Sequence, residues 1–261
     1  MSHFLASLPL WLSAFLVIVL PTVAAMAASL LLRQRIGLER LATNNEVAGF
    51  KFAVLGVIYA VLLGFAVIVV WEKFHDAEAA TVQEAAGIIG VWHLLQGFDG
   101  DGAAAVQPHL TAYVKAVIAE DWPAMGNGKI SARGGEALDA LYAAVLALTP
   151  ATPRESAAMA ALLSELDTVT QGRRTRLILA QGVVPEVLWF VLLASAFVTL
   201  GFTFFFGTRS AHAQALMTGM LAATIFMALY VVIEINYPFT GPVKVQPEAL
   251  ELVLERINGG R

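Results

Sequence analysis

Long apolar runs alternate with more polar stretches and set the plan of this chain. Four runs, at residues 9–32, 52–70, 187–206 and 213–233, contain no Asp, Glu, Lys or Arg. Each has roughly 19–24 residues, and a helix of that length crosses a hydrocarbon core of about 30 Å. The pattern predicts an all-α membrane protein with four transmembrane helices.

Short connections join the first run to the second and the third to the fourth, which predicts two hairpins. The second span has no proline and is expected to continue as one helix to about residue 97. An extramembrane helical bundle is expected between spans 2 and 3. The predicted boundaries are transmembrane hairpin 1 at 1–71, a helical domain at 72–184, transmembrane hairpin 2 at 185–235, and a C-terminal turn and short helix at 236–261.

The helical domain shows apolar residues with helical spacing, which indicates amphipathic helices with one buried face. Thr152, Pro153 and Glu155 form a helix-start signature, with threonine at the N-cap and glutamate three residues later. That last helix is expected to continue to Pro185. The two apolar sets are Leu110, Tyr113, Val114, Val117 and Ile118, and Leu138, Leu141, Tyr142, Val145 and Leu146.

Composition narrows the class of function. The chain is 58% hydrophobic and 14% charged with a net charge of −4, which gives no basic footprint for nucleic acid. It contains no cysteine, so disulfides, thiolate metal sites and a cysteine nucleophile are excluded. No phosphate-binding loop, serine-hydrolase motif or zinc-binding histidine pair is present. We therefore expect no enzyme activity, no metal and no cofactor.

The second span carries two candidate features on different faces. Gly56, Ala60 and Gly64 form a ladder of small residues, which allows close helix packing in lipid. Val57, Val61 and Phe65 fall at i, i+4 and i+8 and form one apolar stripe. The stripe is compatible with a face toward lipid or core. If several copies surround an axis, it would instead form a hydrophobic constriction that gates by dewetting.

Two polar clusters flank the second hairpin. Arg173, Arg174 and Arg176 precede the third span by about ten residues. They are compatible with lipid headgroup attraction, with an anion-attracting vestibule, or with pairing to carboxylates such as Glu72, Glu78 or Glu84. Glu234 closes the fourth span, and a turn containing Pro238, Phe239 and Gly241 follows it. That turn is either a simple exit from the membrane or a structured clasp against the bundle.

Several of these segments resemble the bacterial bestrophin-like family of unknown function, and more distantly the bestrophin anion channels. The resemblance covers nearly the whole chain. The residues that carry it are 45–50, 59–65, Trp71, Glu72, 83–85, Arg173, Arg176, Pro185, Trp189, Pro238, Phe239, Gly241, Pro247, Glu248 and Leu250.

The resemblance implies a pentamer whose second spans line a pore, with Val57, Val61 and Phe65 at its neck. Lysine and arginine counts alone leave the orientation in the membrane undecided. The resemblance implies a bacterial inner-membrane location with the helical domain and both termini in the cytoplasm. The acidic cluster that binds calcium in animal bestrophins has no counterpart here.

The sequence therefore leads to one main hypothesis and one rival. The main hypothesis is a homo-oligomeric ion channel, conducting anions rather than cations, whose partners are the lipid bilayer, copies of itself and small inorganic ions. Arg173, Arg174, Arg176, Glu234, Pro238, Phe239 and Gly241 are its vestibule or gating candidates. The rival is a non-conducting membrane scaffold or sensor whose helical domain binds a partner or ligand. The lack of a charged residue within the four runs favours this rival.

Overall fold

The computed structural model describes residues 2–42, 45–98, 101–182 and 184–259, and the regular structure within these ranges is helical. In chain order the α-helices are α1 (Ser2–Ala6), α2 (Leu10–Ala14), α3 (Leu20–Ile36), α4 (Leu38–Ala42), α5 (Asn45–Leu95), α6 (Asp101–Ala116), α7 (Trp122–Gly126), α8 (Arg133–Leu146), α9 (Pro153–Leu179), α10 (Glu186–Thr203), α11 (Ala211–Ile235) and α12 (Glu248–Gly259). Two π-helical segments, Phe15–Val19 and Val117–Asp121, lie between α2 and α3 and between α6 and α7.

Four helical segments are long and apolar enough to cross a membrane, which confirms the predicted number of spans. They are Leu10–Ile36, α5, α10 and α11. The end of α10 at Thr203 comes three residues before the predicted end, because the following phenylalanines form tighter i to i−3 hydrogen bonds. Helix α11 continues two residues beyond the predicted end and so includes Glu234. The hairpin arrangement stays a prediction.

Both π-helical segments end two residues before a proline, at Pro21 and Pro123. Proline has no N–H to donate, and its ring clashes with the carbonyl one turn earlier in an α-helix. The wider π turn relieves this conflict: the N–H of Leu20 bonds the Phe15 carbonyl, and the N–H of Trp122 bonds the Val117 carbonyl. The helix therefore continues past each proline with one extra residue in the turn.

The chain divides into two compact units. The membrane unit comprises Met1–Glu72 and Val183–Asn236, and the helical unit comprises Lys73–Gly182 and Tyr237–Arg261. Within the membrane unit α3 packs along α11. Polar contacts tie its loop end together: the Asn45 amide donates to the Gly207 carbonyl at 2.8 Å, and Arg33 donates to Gln214 at 3.2 Å.

The helical unit has a hydrophobic core built by α5, α6, α8, α9 and α12. Most of the predicted apolar faces form this core: Leu110, Tyr113, Val114, Val117, Leu138, Leu141 and Val145 are buried. Ile118 and Tyr142 are partly buried against this core, whereas Leu146, the last residue of α8, has 64% of its surface exposed.

The ends of α9 bear out one expectation and overturn another. The capping box is present: the Thr152 hydroxyl accepts from the Glu155 N–H at 3.2 Å, and the Glu155 carboxylate accepts from the Thr152 N–H at 3.1 Å. The expected continuation to Pro185 is wrong. The helix ends at Leu179, and Gly182 has a φ of 92°, a conformation that no right-handed helix contains. The break at residues 98–102 lies partly outside the described residues.

Candidate functional site: a buried charge network and an exposed face of span 2

A fully buried arginine, Arg176, is the centre of a charge network in the helical unit. Its Nε donates to Glu84 Oε2 at 2.7 Å and its Nη2 donates to Glu84 Oε1 at 3.1 Å. Nη2 also lies 3.4 Å from Asp121 Oδ2, and Nη1 lies 3.3 Å from the Met125 sulfur. The guanidinium carbon is 4.9 Å from the centre of the Trp122 ring, within the range of a cation–π contact.

Two further side chains complete the network. The Tyr113 hydroxyl donates to Glu84 Oε1 at 2.6 Å, and Arg173 Nη2 lies 3.3 Å from Asp121 Oδ2. Glu84, Asp121 and Arg176 have no exposed side-chain surface, and Arg173 has 14%. Two arginines thus face two carboxylates, and the buried charges balance. Balanced charge is what burial requires, since an unpaired ion in a protein interior is costly.

Burial and charge shift the pKa values of this network in directions that keep its charge states. Burial raises the pKa of Tyr113 well above its ordinary value of 10.0, and the adjacent Glu84 carboxylate raises it further. Burial opposes the charge of Arg176, but Glu84 and Asp121 outweigh that effect, so the pKa of Arg176 lies above its ordinary value. At neutral pH the tyrosine is therefore a hydrogen-bond donor and the arginine a cation.

Close helix packing and the second π-helical segment position these groups. Helices α5 and α9 approach so closely that a Cβ atom on Gly172 would lie 2.8 Å from the Glu84 backbone nitrogen. Glycine at this position brings Arg176, one turn later on α9, within reach of Glu84. Asp121 is the last residue of the π-helical segment, whose extra residue places its carboxylate in the core.

The turn after α11 packs into the same unit. The N–H of Val245 donates to the Pro238 carbonyl at 2.7 Å, and Gly241 adopts a φ of 81°, which favours glycine. Phe239 is buried with its ring 5.5 Å from that of Trp122, in an edge-to-face arrangement. Of the two alternatives for this turn, the structure shows the packed clasp. The aromatic pair connects the clasp to Arg176.

Opposite faces of span 2 differ in their surroundings. Tyr59, Leu63, Ala66 and Val70, spaced i, i+4, i+7 and i+11, are buried within the chain. The stripe of Val57, Val61 and Phe65 is exposed, at 64%, 53% and 64% respectively. A Cβ atom on Gly56 or Gly64 would meet nothing within 4 Å among the described residues. The small-residue ladder therefore has no packing partner in the described part of this chain, and close packing there stays a prediction.

A protein-family profile matches most of the chain. Residues 17–250 match the profile of the Bestrophin-like domain. The chain belongs to the bestrophin-like family. No curated protein matches it significantly.

Solved structures share the bestrophin-like fold at low sequence identity. A single-substitution variant of a bacterial bestrophin homologue from Klebsiella pneumoniae matches with a TM-score of 0.67 and 14% identity, covering 90% of this chain and 98% of that one. A second variant of that homologue matches with a TM-score of 0.70 and 14% identity, covering 93% and 97%. A structure described as a membrane protein matches with a TM-score of 0.70 and 14% identity, covering 92% of this chain and 97% of that one.

The bestrophin-like chain brings together some of the predicted residues and separates others. Arg176 pairs with Glu84, one of the three carboxylates proposed for it, and Arg173 pairs with Asp121. Arg174 is exposed. Glu234, by contrast, is buried in the membrane unit, with the hydroxyls of Ser13 and Tyr230 as its polar neighbours. Because α11 includes Glu234, one candidate span does contain a charged residue type. The lack of such residues was the sequence argument for a non-conducting scaffold or sensor, and this finding weakens it.

Sequence reasoning missed Met125 of the network, and it also missed Asp121 and Trp122. The latter two occur in the tripeptide Asp121–Trp122–Pro123. A proline inside an otherwise helical stretch is a signal for a distorted turn, and that turn is what directs Asp121 inward. Tyr113 was assigned to the core correctly, but its hydroxyl partner depends on a contact between distant parts of the sequence.

Proposed function

We propose that this protein is a homo-oligomeric ion channel of bestrophin type, with the second spans of several copies lining the pore. The observation that carries the proposal is the exposed stripe of Val57, Val61 and Phe65, opposite a face that is buried within the chain. Three large apolar side chains on one face of a central helix suit a narrow hydrophobic neck. Membership in the bestrophin-like family supports the same assignment.

Other residues take supporting roles in this proposal. The assembly is a pentamer in the bacterial inner membrane, with the helical unit and both termini in the cytoplasm. The channel prefers anions such as chloride. Arg174 attracts them at the vestibule, because it is exposed whereas Arg173 and Arg176 are matched by carboxylates. Glu234 and the clasp at Pro238, Phe239 and Gly241 participate in gating, since the clasp follows α11 directly along the chain.

The test records current from the purified protein in planar bilayers under a KCl gradient. Wild type is compared with Phe65→Ala and with Phe190→Ala, a matched change at an exposed phenylalanine of α10. We expect a discrete conductance that changes in Phe65→Ala and not in Phe190→Ala. The sign of the reversal potential identifies the favoured ion.

A second variant separates pore polarity from pore width. Val61→Thr keeps the side-chain volume and adds a hydroxyl, so it should hydrate an apolar neck and increase the open fraction. Silence from folded, inserted wild type across voltage and pH would refute the channel and favour a membrane scaffold or sensor. A conductance that both phenylalanine variants leave unchanged would refute the neck.

A further inference from the structure

A cavity of about 260 Å³ opens on the surface of the helical unit. Four aliphatic side chains line it: Ile130, Leu138, Leu177 and Ile178. Two of them, Ile130 and Ile178, are more than half exposed. Apolar surface grouped around a concavity is typical of a binding site, whereas single exposed apolar residues need no explanation.

Two guanidinium groups, those of Arg173 and Arg174, line the same cavity. Arg173 shares its Nη2 with Asp121, but its Nε is buried and has no hydrogen-bond acceptor among the described residues. A buried donor without an acceptor is costly, and turning this Nε toward an anion bound in the cavity would remove that cost.

One positive charge at this cavity, that of Arg174, is not matched by a carboxylate among the described residues. Glu84 and Asp121 balance Arg176 and Arg173 in the buried network, so Arg174 is left over. Arg174 is exposed and makes no ion pair within the described part of the chain. The cavity therefore combines a net positive edge with aliphatic walls.

We propose that this cavity binds an amphiphilic anion, a carboxylate or phosphate headgroup carried on an alkyl chain. The headgroup would contact Arg173 and Arg174, and the alkyl chain would cover Ile130, Leu177 and Ile178. The volume lies just below the roughly 300–1,000 Å³ typical of small-molecule sites, so it accepts the headgroup and the first part of a chain. A small inorganic anion would leave the aliphatic walls exposed, and a neutral lipid would leave both guanidinium groups unmatched.

The experiment measures binding of radiolabelled decanoate to the full-length protein in nanodiscs of neutral phosphatidylcholine, with empty discs subtracted. Decanol, which has the chain without the charge, and inorganic phosphate, which has the charge without the chain, are the competitors. The test variants are Arg174→Gln and Ile178→Asp, both at exposed positions outside the buried network. Arg154→Gln, an exposed arginine at the start of α9, is the matched control.

We expect saturable decanoate binding that Arg174→Gln and Ile178→Asp each weaken by roughly threefold to tenfold, while Arg154→Gln leaves it unchanged. Decanol and phosphate should compete poorly. Displacement of decanoate by phosphatidylglycerol added to the discs would identify a membrane lipid as the source of the ligand, and its failure would identify a free amphiphile.

Four results would overturn the proposal: no saturable binding, binding that Arg174→Gln and Ile178→Asp leave unchanged, equal competition by decanol, or equal competition by phosphate. Because binding is measured without current, these results are independent of whether the protein conducts ions.

Discussion

Removing the buried arginine of the charge network should destabilise the helical unit strongly. Arg176→Met keeps much of the side-chain length but removes two hydrogen bonds to Glu84, one to Asp121 and the cation–π contact with Trp122. Glu84 and Asp121 would stay buried with one fewer positive charge between them. Breaking a buried ion pair on one side costs about 3–5 kcal/mol, and the many contacts of Arg176 place it at the upper end of that range.

The free energy of unfolding can be measured by urea titration of the full-length protein in mild detergent, followed by far-ultraviolet circular dichroism. Arg174→Met is the matched control, because it makes the same change two residues away at an exposed position. We expect the control to lie within about 0.5 kcal/mol of wild type.

A double-mutant cycle tests the cause of the loss. Glu84→Gln alone should also be destabilising, because it leaves Arg176 with only Asp121 as a charged partner. The double variant should lose about 2 kcal/mol less unfolding free energy than the two single variants lose together, since neither half of the pair is then left unmatched. A loss under 1 kcal/mol for Arg176→Met, or losses that add within about 0.5 kcal/mol, would refute this account of the network.

Three other substitutions test separate features. Tyr113→Phe should cost about 1.5–3 kcal/mol near neutral pH. Because its pKa is raised from 10.0 in the folded state, the wild-type advantage is full below about pH 10 and should fall by about 1.4 kcal/mol per pH unit above it; an advantage that stays constant in urea titrations carried above about pH 10 would contradict the assignment. Gly172→Ala should cost about 1–3 kcal/mol of stability by overpacking against Glu84. Gly135→Ala is its control and should be tolerated, because the added Cβ meets only the tip of Arg173 at 3.8 Å. Equal melting curves for the two variants would count against the close approach of α5 and α9. Gly64→Leu should leave the helical content of the subunit unchanged and weaken its self-association in light-scattering measurements, and an unchanged mass would argue against that face as an interface.

Local chemistry was sufficient to predict much of the fold. The four spans follow from the length of charge-free apolar runs, because a bilayer imposes a fixed thickness on any helix that crosses it. The start of α9 follows from Thr152 and Glu155, whose side chains satisfy N–H groups within four residues of themselves. The uninterrupted α5 follows from the absence of proline over 51 residues. These features depend on neighbours in sequence or on the solvent, so one sequence is enough.

The candidate site depended on contacts between distant parts of the chain. Arg173, Arg174 and Arg176 look alike in sequence, yet one is fully buried, one is nearly so and one is exposed. Their burial differs because they lie on different faces of α9, and only one face packs against α5. The close approach that Gly172 allows fixes which face that is. Asp121 could not be assigned from its own position, because the π turn before Pro123 redirects it.

The sequence by itself determined which segments are helical and which of them suit a membrane, since both depend on local hydrogen bonding and hydrophobicity. Only the tertiary structure decided which of these charges are paired in the interior and which are exposed. The attraction between two charges weakens strongly beyond a few ångströms in a partly aqueous setting. Residues 84 and 176 come within that range only once the helices have packed.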